Sequence, residues 1–186
     1  MPRTTNPASF KENTRLGMIV LVACILIAVF VLAPVKLSGA RNKAEDVFRN
    51  GTEEGITVSV YTDLIAMAEN ANRLANFASA QLGEDNQDIV TLKESAKRIL
   101  DAKDEKTMLK AYSDIALAAD NVYTRLTGSA KEDAKGAYVN IDNCVSTIKR
   151  DSYFTYAENF NRSRKSFPAI ILAGLFGIEE MPTLGK

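Results

Sequence analysis

The sequence predicts an all-α protein, in which an N-terminal transmembrane helix precedes an antiparallel up-and-down helical bundle of about four helices. Three observations lead to this prediction. Residues 16–35 contain no charged side chain. Beyond them, apolar residues recur every three or four positions, which is the spacing of one helix face. After Pro34 the chain contains only Pro168 and Pro182, so long helices can form without interruption.

These patterns divide the 186 residues into five segments. We expect an N-terminal tail, a transmembrane helix, a helical stalk or linker, the bundle, and a C-terminal tail packing on the bundle, at residues 1–15, 16–35, 36–55, 56–168 and 169–186, respectively. About 150 residues follow the apolar segment, which is the usual size of one domain with its own core.

The apolar segment has the length of a membrane span. Residues 16–35 read LGMIVLVACILIAVFVLAPV. A helix of about 20 residues rises about 30 Å, which matches the hydrocarbon thickness of a bilayer. The segment has no polar face, whereas an amphipathic helix on a membrane surface requires one. We therefore predict an uncleaved, single-pass anchor in the cell (inner) membrane.

Two other interpretations of this segment compete with the anchor. Residues 38–40 are small and suit a signal-peptide cleavage site, but the apolar run is longer than the usual signal-peptide core. Residues 21–24, LVAC, resemble a bacterial lipobox in which Cys24 would carry lipid. However, apolar residues follow Cys24 where a lipoprotein normally has a polar tether. Length and flanking sequence favour the anchor over both alternatives.

The charges beside the apolar segment bear on its orientation. Three cations precede it and four follow it: Arg3, Lys11 and Arg15, then Lys36, Arg41, Lys43 and Arg49. Because cationic flanks stay in the cytoplasm, this small excess favours a cytoplasmic bundle. A difference of one charge leaves the periplasmic side open.

Four apolar stripes predict the bundle helices. Their positions are Tyr61, Leu64, Ile65, Ala68, Ala71, Leu74, Ala75, Ala78 and Leu82; Ile89, Leu92, Ala96, Ile99 and Leu100; Met108, Ala111, Tyr112, Ile115, Ala119, Val122, Tyr123 and Leu126; and Ala134, Tyr138, Ile141, Val145, Ile148 and Ser152. We expect Gly83 and Gly128 to end the first and third helices. The fourth is expected to continue to about Ser166, because Pro168 disfavours helix at the residue before it. Short connections make consecutive helices antiparallel neighbours.

The composition excludes several kinds of chemistry. The chain has no histidine, which removes His-based catalysis, imidazole zinc sites and the Glu-x-x-His motifs of di-iron bundles. It has 23 basic and 23 acidic residues, so nothing favours binding to nucleic acid. Cys144 has no histidine to activate it, and a disulfide with Cys24 is not expected. We predict no catalytic residue, no cofactor and no metal.

The C-terminal region carries a recognisable motif. Its residues are Arg150, Tyr153, Phe160, Asn161, Phe167 and Pro168, followed by Ala173, Phe176 and Gly177. This motif resembles the end of LemA family proteins, which have a tyrosine-asparagine repeat on a helix, then Phe-Pro and a short apolar tail ending in Phe-Gly-Phe. Residues 63–65 weakly resemble an upstream family motif. The chain departs from the family pattern at Ala66, Met67, Phe154 and Ile178.

The resemblance implies a membrane-anchored antiparallel bundle and brings no established catalytic residue. The candidate interaction residues are the first six of the motif: Arg150, Tyr153, Phe160, Asn161, Phe167 and Pro168. The spacing of Tyr153, Tyr156, Phe160 and Phe167 places these rings on one helix face, where we expect them to pack into the bundle.

Two functions fit these observations. The first is a non-enzymatic scaffold or adaptor of the bacterial cell envelope, acting by protein–protein interaction or self-assembly. Its partners would be the membrane and other membrane or envelope proteins, or a second copy of the chain. The alternative is a ligand-binding or envelope-stress sensor that uses a pocket between helices near the aromatic face. The apolar tail at residues 169–177 is too short to span a bilayer, so we expect it to fold over the bundle or to contact a partner or lipid.

Overall fold

The computed structural model describes residues 7–52 and 58–184, and this part of the chain is all-α, as predicted. The predicted boundary between stalk and bundle, at residues 55 and 56, lies outside the described residues. In order, the elements are α1 (Pro7–Ile27), a π-helical segment (Ala28–Leu32), α2 (Ala33–Asn50), α3 (Val60–Leu82), α4 (Gln87–Asp101), α5 (Glu105–Arg125), α6 (Gly128–Arg150), α7 (Tyr153–Lys165) and α8 (Ala169–Leu175).

The π-helical segment explains how the N-terminal helix passes Pro34. In a regular α-helix, the proline ring would clash with the carbonyl of Phe30, four residues earlier. The wider π-helical turn at Ala28–Leu32 ends just before Ala33–Pro34 and relieves the clash between the proline ring and this carbonyl. The helix then continues until Gly51, whose φ is +76° and whose N–H donates to the carbonyl of Val47 at 2.9 Å. A glycine adopts this backbone conformation without steric cost.

The N-terminal helix exposes its apolar side chains. The most apolar 18 residues within Thr14–Asn50 have a mean hydropathy of 3.2, and none of these 18 residues is buried. Leu26 is 50% exposed and Ile19 68% exposed. An apolar helix that no other part of a protein covers is suited to a lipid environment. Its length, composition and position are consistent with a membrane anchor or a signal sequence.

Helices α3 to α6 form the bundle. Helix α3 packs against α4, α5 and α6, and α5 also packs against α4 and α6. Two hydrogen bonds show the relative direction of α3 and α6. Gln81, near the end of α3, bonds to Thr127, just before α6, at 2.7 Å, and Asn70 bonds to Asn140 in the middle of α6 at 3.3 Å. Since position rises along α3 as it falls along α6, the two helices are antiparallel.

The α4–α5 pair has the same antiparallel arrangement. Arg125, at the end of α5, contacts Asp88 at the start of α4 at 3.3 Å. Arg98, near the end of α4, contacts Asp114 in the middle of α5 at 3.2 Å. These exposed pairs contribute little stability by themselves. They nevertheless show that the two helices run antiparallel, as expected for an up-and-down bundle.

Short polar residues set the helix boundaries. The Ser59 hydroxyl accepts from the backbone N–H of Thr62, and the Thr62 side chain accepts from the N–H of Ser59, so α3 starts with a reciprocal cap. Side chains of Asn86 and Asp104 cap α4 and α5. Gly83, with φ of +88°, follows the last residue of α3, which confirms its predicted role.

The bundle core follows the predicted stripes closely. The stripe residues with no exposed area include Leu64, Ala68, Ala71, Leu74, Ala75, Ala78, Ile89, Leu92, Ala96, Ile99, Ala111, Ile115, Val122, Leu126, Ala134 and Ile148. The many alanines let the helix backbones approach closely. Leu100 departs from the prediction, because its side chain is 46% exposed at the end of α4. Ser152 is also exposed.

The prediction of one long final helix is wrong. Helix α6 ends at Arg150 and α7 begins at Tyr153. Between them, Asp151 has extended backbone with ψ of 140°, and its carboxylate accepts from the N–H of Tyr153 at 2.7 Å. An aspartate that caps a new helix competes with continuation of the preceding one. The residues on either side are apolar at helical spacing, so the stripe alone did not reveal this break.

The structure divides into two compact units. Residues Met1–Ala40 and Phe160–Glu180 form one, and residues Arg41–Asn159 and Met181–Lys186 form the other. The second unit contains the bundle. The segment predicted as a single C-terminal tail contributes to both units, since α8 belongs to the first and Met181 to the second.

A candidate interaction site where α6 meets α7

The break between α6 and α7 lies in a junction of four helix ends. The Ser59 hydroxyl, before α3, donates to the carbonyl of Arg49 near the end of α2 at 2.9 Å. Asp151 terminates α6 and caps α7. Burial raises the pKa of Asp63, in the first turn of α3, and the nearby charge of Asp151 raises it further. We call this region the α6–α7 junction.

Tyr153 is the buried centre of the junction. Its side chain has no exposed area. The ring meets the Phe48 ring of α2 edge to face, with centroids 5.0 Å apart. Its hydroxyl donates to the carbonyl of Pro182 at 2.9 Å. Burial raises the pKa of this phenol, and the carboxylates of Glu105 and Glu45 raise it further. Tyr153 therefore joins α7 to α2 and to the C-terminal segment as a neutral hydrogen-bond donor.

The carboxylate pair carries an electrostatic cost. Burial raises the pKa of Asp63, and repulsion from Asp151 adds to the increase. Burial also raises the pKa of Asp151, although the hydrogen bond from the Tyr153 N–H partly opposes this. Among the described residues, none donates a hydrogen bond to the buried Oδ2 of Asp63. Both acids are thus easier to protonate than exposed aspartates.

Cys144 lies close to this pair but is poorly suited to act as a nucleophile. Burial raises the pKa of its thiol to about 11, and the charge of Asp63 contributes. Since the thiolate is the reactive form, almost all of this cysteine is unreactive near neutral pH. In the part of the chain that the structure describes, no group of three or more histidine, cysteine or acidic side chains is arranged to hold a metal.

A surface hollow of about 470 Å³ opens at the junction. It is lined by Thr52, Val58, Ser146, Thr147, Arg150, Asp151 and Ser152. Four hydroxyl groups, one guanidinium and one carboxylate can exchange hydrogen bonds with a polar surface. A protein partner offers such groups in its backbone and side chains. This composition is therefore suited to hydrogen bonding with a polar partner.

A second hollow of about 660 Å³ adjoins the first at Thr52. Its lining combines Asn42, Lys43, Asp46, Val47, Gly51, Thr52 and Tyr156. The Lys43 ammonium lies 5.5 Å from the centroid of the half-buried Tyr156 ring. A cation near an aromatic face is held by the ring quadrupole. This hollow is the described feature nearest to the predicted pocket beside the aromatic residues.

The six predicted site residues belong to two different compact units. Arg150 is exposed and lines the hollow, and Tyr153 is buried. The other four belong to the unit that contains α8: Phe160 is buried, Asn161 is half-buried, and Phe167 and Pro168 follow the end of α7. The motif therefore does not form one described site within a single unit.

The predicted packing of Phe167 is wrong. Its side chain is 81% exposed, because α7 ends at Lys165 and Phe167 no longer follows the helical face of Tyr153. The peptide between Phe167 and Pro168 is cis. By contrast, Tyr153 and Phe160 are buried, as expected from their spacing.

The carboxylate pair and a tyrosine pair were missed as site features. The hydroxyl of Tyr138, in α6, donates to Asp120 of α5 at 2.6 Å. The Tyr138 ring stacks on the Tyr123 ring of α5, with centroids 4.0 Å apart. The hydrogen bond to Asp120 raises the pKa of Tyr138 to about 12. For Asp151, the available signal was an aspartate two positions before an aromatic helix start. Spacing within one helix carries no information on which residues meet between helices.

Asp63→Asn is expected to stabilise the full-length protein at neutral pH. Because the folded pKa of Asp63 is raised, its ionised form costs stability above that pKa. The gain is about 0.5 kcal/mol, since partial exposure screens the charge and the α3 dipole favours a carboxylate. It should decline as pH falls through the folded pKa and disappear below the unfolded value near 3.9. Thermal unfolding followed by circular dichroism across pH measures it.

The matched control is Asp104→Asn, which should behave in the opposite way. Two hydrogen bonds from Thr107 lower the pKa of Asp104, so the native carboxylate stabilises the protein above its unfolded pKa. That contribution is lost as pH falls through the lowered folded pKa. A reduced melting temperature for Asp63→Asn at neutral pH would contradict the account of the carboxylate pair.

Comparison with protein-family models, curated proteins and solved structures finds no match to this chain. The resemblance to LemA proteins is therefore carried by the sequence motif alone and stays a prediction.

Proposed function

We propose that this protein is a membrane-anchored, non-enzymatic scaffold or adaptor of the bacterial cell envelope, which acts through protein–protein contacts or self-assembly. One observation carries the proposal: the described bundle helices direct apolar side chains into their shared interior. Ligand and metal sites of four-helix bundles are built in the core, from side chains on facing helices. Here α3 and α5 are in contact, and Leu74 and Ile115 have no exposed area. Binding would therefore take place on the surface.

The N-terminal helix supports the membrane part of the proposal. Its apolar side chains are exposed over about the length that a bilayer requires. The excess of flanking cations after it favours a cytoplasmic bundle. The LemA-like motif supports an anchored bundle in the same sense. Among surface features, the hydroxyl-rich hollow at the α6–α7 junction is our preferred contact point for another envelope protein or a second copy.

Site-specific photocrosslinking in cells tests this proposal. We would incorporate a benzophenone amino acid at Thr147, in the junction hollow, and separately at the exposed Glu94 on α4. Crosslinking from position 147 should yield one discrete adduct, identified by mass spectrometry as an envelope protein or a second copy. Arg150→Glu should reduce that adduct several-fold, because it reverses the charge at the hollow without altering the core.

Two results would contradict the proposal. One is the absence of any adduct from position 147 in membranes, together with a monomeric protein by analytical ultracentrifugation in detergent. The other is an identical set of adducts from positions 147 and 94, which would indicate collision rather than recognition.

The sensor alternative draws support from the Lys43–Tyr156 hollow. An interhelical surface with a cation, a carboxylate and an aromatic ring suits a small polar ligand. A small molecule that raises the melting temperature of the full chain, and fails to do so in Tyr156→Ala, would favour this function over the scaffold.

A further inference from the structure

Helix α8 and its flanking residues expose an apolar surface. The exposed fractions are 81% for Phe167, 52% for Ile170, 59% for Ile171, 69% for Leu175 and 55% for Phe176. We call these five residues the α8 surface. Scattered single hydrophobic residues are normal on a soluble protein, but five large ones within ten positions form a contiguous feature of the chain. Such a feature usually marks a contact with a partner or a membrane.

Helix α8 has no polar face. Its sequence, AIILAGL, lacks any polar residue. Leu172 and Ala173 are buried, while Ile170, Ile171 and Leu175 on the remaining face are exposed. A helix on a protein surface normally places polar residues on its outer face. The outer face of α8 therefore matches an apolar surrounding.

Basic residues border this surface on the preceding helix. The last turn of α7 contains Arg162, Arg164 and Lys165. Arg164 donates to the carbonyl of Ile178 at 2.6 Å, and Glu180 pairs with Arg164 at 3.4 Å and with Lys165 at 3.1 Å. These contacts tie the segment after α8 to the end of α7. An apolar face beside lysine and arginine is the combination found in helices at the membrane interface.

We propose that the α8 surface inserts into the interfacial layer of the same bilayer that holds the N-terminal helix. The inference rests on the proposed function, because it requires that helix to be a membrane anchor. Residues Met1–Ala40 and Phe160–Glu180 fall in one compact unit. A bilayer that surrounds the apolar helix is thus an apolar phase next to the unit that contains α8. The contact would give the protein a second, shallow attachment beside its transmembrane span.

The absence of tryptophan from the sequence makes a direct test possible. Phe176→Trp places the single tryptophan of that variant on the α8 surface, and Leu117→Trp places it on the bundle, at a residue that is 67% exposed. Each full-length variant would be reconstituted into phosphatidylcholine–phosphatidylglycerol vesicles with brominated acyl chains. Phe176→Trp should lose most of its emission to bromine and resist acrylamide. Leu117→Trp should show the reverse pattern.

Each other outcome overturns the inference in a recognisable way. One such outcome is a chain that floats with the vesicles while acrylamide quenches Phe176→Trp as strongly as Leu117→Trp. It would show that α8 faces water. Protection from both quenchers would show that protein covers the surface. If the chain does not float with vesicles, the anchor of the proposed function fails as well. Leu175→Trp supplies a second probe on the same surface if Phe176→Trp does not fold.

Discussion

Replacing Tyr153 with alanine is expected to lower the melting temperature of the protein by about 10 °C, through a loss of about 3–5 kcal/mol of stability. The side chain has no exposed area, it packs edge to face on Phe48, and its hydroxyl satisfies the carbonyl of Pro182. Truncation removes both contacts and leaves a cavity at the meeting point of α2, α7 and the C-terminal segment. Thermal unfolding by circular dichroism of the detergent-solubilised full chain measures the loss.

Two further variants separate the causes of this loss. Tyr153→Phe retains the ring and removes the hydrogen bond, so it should cost only about 1 kcal/mol. Tyr156→Ala, at a half-buried ring on the same helix, should cost less than Tyr153→Ala. Equal losses at the two tyrosines would show that Tyr153 is not the centre of the junction.

The second large effect is expected from arginine residues within the apolar segment. Arginine near the centre of a span costs about 2.5–3.5 kcal/mol on insertion scales, so Val22→Arg with Ile25→Arg should cost about 5–7 kcal/mol in total. We expect the double variant to be extracted from membranes by alkaline carbonate. The matched control, leucine at both positions, should stay in the membrane fraction.

The same preparation distinguishes the three interpretations of this segment. An uncleaved anchor predicts that the membrane-bound protein has the intact mass of the whole chain. A signal peptide predicts loss of the segment, and a lipoprotein predicts a lipid-bearing fragment beginning at Cys24. Cys24→Ser should leave fractionation unchanged. If Cys24→Ser released the protein from the membrane, the lipobox interpretation would replace the anchor.

Most of the bundle was predictable from local patterns. Positions such as Leu64, Leu74 and Ile115 recur at helical spacing and are buried, because each amphipathic helix must cover one apolar face. Gly83 ends α3 because glycine adopts positive φ without steric strain. These features depend on residues a few positions apart, so one sequence contains all the necessary information.

The candidate site was less predictable, because it depends on contacts between distant segments. The sequence identified Arg150 and Tyr153, but placed them with Phe167 on one continuous helix. The cap formed by Asp151 breaks that helix, and the end of α7 at Lys165 leaves Phe167 exposed. No spacing rule indicated that the charge of Asp151 would act on Asp63.

The sequence by itself determined the apolar N-terminal helix, the all-α class and the core faces of the four bundle helices. Each of these follows from side-chain hydrophobicity at a fixed helical period, which is a local property. Only the tertiary structure decided which helix ends meet, which carboxylates interact electrostatically and which apolar residues stay uncovered. Those outcomes depend on long-range packing, in which Tyr153 joins segments that are far apart in the chain. The physical reason is that burial and charge interaction act through space, whereas periodicity acts along the chain.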